Sequence, residues 1–589
     1  MRETWRLQKL LFRHESEDPR STPLNPAYTA LESHLDRLKE AAQRWAELGP
    51  AEIVSLLTEV RGRVLAVASD WVASAAEAKG LDAKSPLVGE EWASGPWATL
   101  AGINGLITTL TRVAAGSDPL HGLPIHTRPD GQVVVGVFPA NNWDRLLLSG
   151  FSAEVWQQPG ITEQTLHDTL AVRFKKSEPP ALALILGAGN INAIPPLDAL
   201  YKLVAEGQVC LVKLNPLNDY LEGPLNEAFK PMSDFVRFVK GDGRVGAWLT
   251  DHPKVDTLHI TGSVRTHDVI VYGPGPEGRE RQRANEPLNK RPMSSELGGV
   301  GPTLIVPGPW STADFRFQAE HLVTQKLHNG GFNCIASQLL VVPEGWDGTQ
   351  TLMRHVQDVL EEIGDQRPSY YPGVKDRLAH FQEAHPDAQV IGRRAPVVLI
   401  HGLKPDSDDL CFRDEAFGPV WGVVSIPASE PASFLRQAVE FANEKLFGTL
   451  GCQLVIHPST HRAHAQTLDQ AIADLRYGTI GLNVWSGVGF LLSNVVWGAF
   501  PGHPLNDAQS GIGAVHNALL FDKPQKSVVR GPFKPFPRTL TSGVLHSSPK
   551  PLWFVTHKKA HKGAELLTRF EATRKMSLIP PLFAAALTG

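Results

Sequence analysis

The stretch from Ala181 to Pro216 constrains the fold more than any other part of the chain. ALALILGAG is an apolar run ending in glycines, IPPLDALYKLVAEG carries helical spacing, and QVCLVKLNP is a second apolar run. Two buried strands joined through a helix predict a βαβ unit, and hence a parallel sheet. VDTLHITGS adds another apolar strand ending at Gly262 and Ser263. A second α/β region is predicted from Pro292 to about His516. Its strands lie in PTLIVP, SQLLVVP, APVVLI, VWGVVSI and CQLVIHP, with helices such as FLRQAVEFANE between them.

The flanking regions read differently. The first 120 residues are predicted helical. Ile53, Leu56, Leu57, Val60, Val64, Leu65 and Val67 fall on one helical stripe, and Gly80 is a natural stop. In RPDGQVVVGVFP a DG turn precedes the β-branched run Val133–Phe138, the pattern of a hairpin strand. PGPEGRERQRANEPLNK is polar and Pro-containing and predicts an exposed loop over about 273–290. Beyond Pro532 the chain is rich in Pro, Ser and Lys, and KKAHKGAELLTRFEATRKM predicts a basic amphipathic helix packed on the body.

Composition narrows the function classes. With 57 Lys plus Arg against 61 Asp plus Glu, the net charge of −4 makes no electrostatic case for nucleic acid or an anionic membrane. At 42% hydrophobic and 20% charged over 589 residues, the chain reads as globular, with three to four folding units by length. Cys210, Cys334, Cys411 and Cys452 are scattered, with no CxxC pair, so neither a disulfide framework nor a zinc site is predicted. That usage favours a reducing cytoplasm. The charged N-terminus MRETWRLQKLLFRHESEDPR lacks the apolar core of a signal peptide. No apolar run reaches 18 residues, so no membrane span is predicted; Leu578–Leu587 is too short and contains Pro580 and Pro581.

Candidate chemistry concentrates in a few places. GAGNIN, Gly187–Asn192, ends a strand as a dinucleotide-binding turn would, but Asn192 stands where a third glycine is usual. The next strand ends in Lys213 rather than an acid; a cation there can bond ribose hydroxyls or phosphate. Glu296 precedes Gly298 and Gly299. Cys334 follows 38 residues later in HNGGFNC, after a glycine turn that lets backbone approach a ligand closely. A carboxylate can take the proton of a thiol or of an attacking water. Asn190 could instead cap the following helix. Cys210, Cys411 and Cys452 lie in or beside strands and read as core. Trp143, Trp156 and Trp497 could line a pocket, though large aromatics are more often packing residues, and no role is assigned to them.

Taken in order, GAGN, VCLVKLNP, ITGS, ELGG, GGFNC, EAFGP, NEKLFG and SGIG resemble the aldehyde dehydrogenase superfamily over roughly residues 181–515. The resemblance implies a Rossmann-type NAD(P)-binding domain over 1–123 and 181–295 and a catalytic domain over 296–495. It further implies a small β oligomerisation arm over 124–180 and 496–530, making a homodimer or homotetramer, with 531–589 left as an extension. It assigns Cys334 as nucleophile, Glu296 as general base, and Asn190 with the Cys334 N–H as oxyanion donors. Lys213 would hold the adenosine ribose, Gly262 and Ser263 the pyrophosphate turn, Glu415 the nicotinamide ribose, and Phe417 the nicotinamide face. No metal is implied. The implied reaction is oxidation of a small-molecule aldehyde by NAD or NADP. A coenzyme A-acylating relative and a silent binding protein remain as alternatives. Pro216 replaces a frequent Glu that repels a 2′-phosphate, which opens the site to NADP. The 263–296 segment is longer than usual, GGFNC departs from the commoner GQxC, and WGAFPGHPLNDAQ is atypical.

Overall fold

The computed structural model describes residues 26–176, 178–367, 369–539 and 546–589. The reading of residues 1–20 as no signal peptide lies outside the described residues. Two sheets organise the chain. The first has six strands in the order Gly511–Ile512, Met293–Leu297, Thr257–Gly262, Leu182–Leu186, Val209–Lys213 and Val236–Val239. All pair in parallel except the first, which is antiparallel. The earliest of the five parallel strands, Leu182–Leu186, is central, and the chain winds outward from it to either side. The loop after it, Gly187–Ala193, therefore opens at the point where the winding reverses, where doubly wound sheets bind ligands. Strand interiors are apolar and covered on both faces, as a parallel sheet with helices on each side requires.

The N-terminal helices cover this sheet as the periodicity predicts. The helix Pro50–Ala78 buries Ile53, Leu57, Val60, Val64 and Trp71 on one stripe. Each such side chain contributes roughly 1.5–3 kcal/mol relative to exposure. The helix ends just before Gly80, whose φ of 65° needs no Cβ to be accommodated.

The second sheet has eleven strands. Seven belong to the predicted second α/β region: Thr479–Leu482, Gly451–Val455, Gly301–Ile305, Ser337–Pro343, Val420–Ile426, Val397–Leu403 and Gln389–Ile391. The hairpin Ile125–Thr127/Val133–Phe138, with Ser152–Gln157, extends the same sheet through Pro524–Arg530, which pairs in parallel with Thr479–Leu482. The strands expected to form a separate arm are thus the margin of the chain's own large sheet. Nor does the first unit stop at residue 295: the strand Met293–Leu297 belongs to the six-stranded sheet, and Gly511–Ile512 pairs with it.

One local expectation is corrected. The 273–290 segment is exposed, as read, but it contains the helix Gly275–Ala284 rather than a loop. Pro276 occupies the first turn, Arg281 pairs with Glu277 one turn away, and Asn285 closes the helix in the left-handed region (φ 54°). Its polar composition hid it, because the helix buries only Gly278 and so lacks an apolar stripe. The predicted tail helix exists as Ala560–Thr573, packed against the helix Val88–Trp92, and a further helix spans Ile579–Leu587. Among the described residues no helix is long and apolar enough to cross a membrane.

Candidate active site

Glu296 and Cys334 arrive from different sheets. Glu296 is on Met293–Leu297 of the six-stranded sheet, paired with Thr261 on one side and Gly511 on the other. Cys334 follows the helix Thr312–Leu327 and a tight turn just before Ser337–Pro343 of the eleven-stranded sheet. In that turn Asn329, Gly330 and Gly331 are all left-handed, with φ of 55°, 66° and 84°. A Cβ at Gly331 would fall 2.9 Å from the Gly418 carbonyl carbon, so only glycine lets the turn close. The closure places the Cys334 Sγ 3.4 Å from the Glu296 Oε1, with the thiol as donor.

The surroundings set the proton affinities. Glu296 is 2% exposed, and burial pushes its carboxyl up to about 7, with the charge of Asp198 acting in the same direction. The Trp497 Nε1–H donates to its Oε2 at 3.1 Å and partly offsets this. Burial also raises the Cys334 thiol well above its ordinary value, and Glu296 and Glu415 add repulsion against a thiolate. The resting pair is therefore a neutral thiol beside a carboxyl poised near neutrality.

Asn190 lies on the far side of the cysteine turn. Its Nδ2 donates to the Phe332 carbonyl at 3.1 Å, so one of its two N–H groups braces the turn and one is left over. It does not cap the helix Ile194–Val204, whose N-cap is Ala193. Beneath it is a buried network that sequence reasoning missed. Lys79 Nζ donates to the Glu91 Oε1 at 2.7 Å, the Asn329 Oδ1 at 2.9 Å and the Asn190 carbonyl at 3.3 Å. Asn329 Nδ2 donates to the Asn190 and Phe332 carbonyls, both at 3.0 Å. Burial alone would lower Lys79, but Glu91 overrides it and keeps the ammonium charged. Lys79 ends a helix some 250 positions before Cys334, and no local pattern marks it.

Glu415 lies against the end of the Glu296 strand. A Cβ at Gly298 would collide with the Glu415 Oε2 at 1.8 Å, so the glycine makes room for the carboxylate. Burial pushes Glu415 up to about 8, against the pull of Lys326 and Arg377. Its Oε1 is buried without a partner. Phe417, left-handed at φ 37°, packs edge-on to Tyr371 at 5.0 Å and tilted to Phe332 at 6.2 Å. Lys213, Gly262 and Ser263 lie apart from the thiol, on the carboxyl edge of the six-stranded sheet. Lys213 is 8% exposed and lowered by burial, with Asp242 opposing. Ser263 Oγ accepts from Thr266 N at 3.2 Å and caps the helix Val264–Tyr272. Cys210, Cys411 and Cys452 are buried, as read; Cys334 is half-buried. Trp497, to which the sequence assigns no role, is a direct partner of Glu296.

Fold and site together define a two-lobed α/β scaffold in which a doubly wound sheet and a larger mixed sheet meet at a thiol–carboxyl pair. The Aldehyde dehydrogenase family model matches residues 225–368, a span holding both Glu296 and Cys334. The D-glyceraldehyde dehydrogenase (NADP(+)) of Picrophilus torridus is 24% identical over 274 residues, 42% of this chain and 49% of that one. Aldehyde dehydrogenase family 3 comG of Dictyostelium discoideum is 25% identical over 397 residues, 63% of this chain and 73% of that one. The chain spans about half the length of the first curated relatives it matches. Among solved structures, gamma-glutamyl-gamma-aminobutyraldehyde dehydrogenase from Burkholderia cenocepacia J2315 superposes with a TM-score of 0.57 at 17% identity, covering 85% of this chain and 88% of that one. Over residues 225–368 the chain is similar to the aldehyde dehydrogenase family, and it shares the fold of solved aldehyde dehydrogenases.

Proposed function

We propose that this protein oxidises an aldehyde to a carboxylic acid, with NAD(P)+ as electron acceptor, Cys334 as nucleophile and Glu296 as base. The observation that carries the reading is the 3.4 Å contact between the Cys334 Sγ and the Glu296 Oε1. A neutral thiol is a poor nucleophile, and a carboxylate in contact with it can remove its proton as the sulfur attacks. A new C–S bond then forms and the carbonyl π pair moves onto oxygen. The free N–H of Asn190 and the Cys334 backbone N–H are the donors for that oxygen; removing one such donor typically costs about 10²–10³ in rate. After oxidation, and once the first proton has passed from Glu296 to solvent, Glu296 takes a proton from water, the hydroxyl adds to the thioester carbon, and the C–S bond breaks, with the leaving thiolate taking that proton back to leave the acid and the thiol.

The residues present fit the cofactor. The orphaned Glu415 Oε1 suits ribose hydroxyls, Phe417 offers an aromatic face, and Lys213 is a nearly buried cation at a strand end. Lys213, Gly262 and Ser263 would hold the adenosine and pyrophosphate end, Glu415 and Phe417 the nicotinamide end. When bound, the nicotinamide supplies the hydride acceptor. Glu296 held against Cys334 supports water, rather than coenzyme A, as the acyl acceptor.

The test is single-turnover kinetics over a panel of aldehydes, with and without coenzyme A. Cys334→Ala is expected to lose NAD(P)H formation by about 10³-fold or more, whereas Cys210→Ala, Cys411→Ala and Cys452→Ala retain it. Glu296→Gln should release about one equivalent of NAD(P)H and then stall. An absolute need for coenzyme A in the wild type would reject the hydrolytic reading.

A further inference from the structure

A cavity of about 380 Å³ lies between the helix Ala98–Ala114, the 138–151 segment and the C-terminal tail. It has room for about ten non-hydrogen atoms or more, given some 30 Å³ per water in the liquid. Six aromatic rings line it: Trp97, Phe138, Trp143, Phe151, Trp553 and Phe583. The helix Ala98–Ala114 turns one face to it, through Ala101, Asn104 and Thr108.

The tail makes one wall and is pinned in place. Asn104 Nδ2 donates to the Glu571 Oε1 at 2.8 Å and to its carbonyl at 2.9 Å, and Arg574 pairs with the same carboxylate at 2.5 Å. Leu552, Leu582 and Ala586 of the tail also face the space. The opposite wall reaches the turn that carries the thiol. His328, in the turn that leads to Cys334, lines the cavity and contacts Asn333, Nδ1 to Nδ2, at 3.4 Å. Leu491 and Leu492 line it too, and their neighbour Phe490 packs in the same apolar cluster as Cys334. Two polar atoms of lining residues are buried without a partner, the Trp97 Nε1–H and the Thr109 Oγ1.

We propose that this tail-walled cavity holds the apolar body of the substrate, and that the protein acts on bulky aldehydes, aryl or medium-chain alkyl, in preference to those of two to four carbons. The inference rests on the aldehyde oxidation proposed above. The aromatic lining matches such a body and gives a short, hydrated aldehyde nothing to bury against.

The test compares kcat/KM for acetaldehyde, butanal, decanal and cinnamaldehyde. Decanal or cinnamaldehyde should exceed acetaldehyde by about 100-fold or more, and which of the two leads separates a chain from a ring. Thr108→Phe, at an exposed helix position on the lining, should lower the decanal-to-acetaldehyde ratio about ten-fold. Phe583→Ala, which enlarges the space, should shift the optimum to longer chains. Binding is read separately on Cys334→Ala by tryptophan fluorescence. Saturable quenching by decanal, weakened about ten-fold by adding Thr108→Phe, supports the cavity even if no aldehyde is oxidised, an outcome that would instead reject the activity. Oxidation with acetaldehyde as the best substrate, or a ratio that neither variant moves, overturns the proposal.

Discussion

Two residues set how the reaction should answer to pH and to cofactor. Glu296 is raised by burial to about 7, and in the proposed reaction it serves as a base only when ionised. Hydrolytic turnover should therefore rise about ten-fold per pH unit below that value and level off above it. A kcat–pH profile on the wild type checks this; a profile flat from pH 5 to 8 would remove Glu296 from the rate-limiting step. The same shift bears on stability. The folded state prefers the protonated carboxyl, so the contribution is present at low pH and lost as pH rises through about 7. Glu296→Gln should thus raise the Tm more at pH 8 than at pH 5. The second residue is Pro216, exposed three positions after Lys213. Pro216→Glu places a carboxylate where a 2′-phosphate would be repelled. Titrations of both cofactors should show the NADP+ to NAD+ affinity ratio falling by about ten-fold, while an unchanged ratio would mean that position 216 faces elsewhere. Cys334, Glu296 and Glu415 could be singled out in the sequence because each lies beside glycines in a motif whose spacing is local. Trp497 and Lys79 were not, because their roles come from partners 201 and 12 to 250 positions away.

At the scale of elements, the helix Pro50–Ala78 does more than cover a sheet. Its last turn delivers Lys79 to the floor under Asn190 and Asn329. Lys79 is 5% exposed, and its ammonium neutralises Glu91, which also accepts from the Asn192 Nδ2 at 2.9 Å. Lys79→Met would strand the Glu91 carboxylate and is expected to cost about 3–5 kcal/mol, read as a shift in denaturant midpoint. Lys79→Met/Glu91→Leu should recover most of that stability; no recovery would show that the loss is packing rather than uncompensated charge. Strands and helices with strong periodicity were readable in the sequence, including the hairpin at Val133–Phe138 and the helix Ala560–Thr573. The helix Gly275–Ala284 was not, since it is held by a capping residue and an ion pair on a surface with almost no apolar side. Pairing between Pro524–Arg530 and Thr479–Leu482 was also invisible, because register between distant segments leaves no mark in either one.

For the whole molecule, the thiol–carboxyl contact lies where the two sheets meet, and the proposed cofactor would lie along the edge of one and reach into the other. A ligand spanning that cleft should stabilise the fold as a unit. At 100 times its Kd it adds about 2.7 kcal/mol by mass action, expected as a Tm rise of a few degrees in a thermal scan. Lys213→Ala should reduce that rise at equal NADP+ concentration. A wild-type Tm indifferent to both NAD+ and NADP+ would place the cofactor elsewhere.

The continuity of the eleven-stranded sheet has a further result. Its two outer strands, Ile125–Thr127 and Gln389–Ile391, have three residues each, whereas the strands inside run to seven. The smaller sheet ends in Gly511–Ile512 and Val236–Val239, of two and four residues. Unpaired strand edges are templates on which another chain can add and aggregate. Thirteen of the seventeen strands in these two sheets are paired on both sides, and the four at the margins are brief, two to four residues each. A chain that exposes so little template can keep two large sheets without recruiting its neighbours into them.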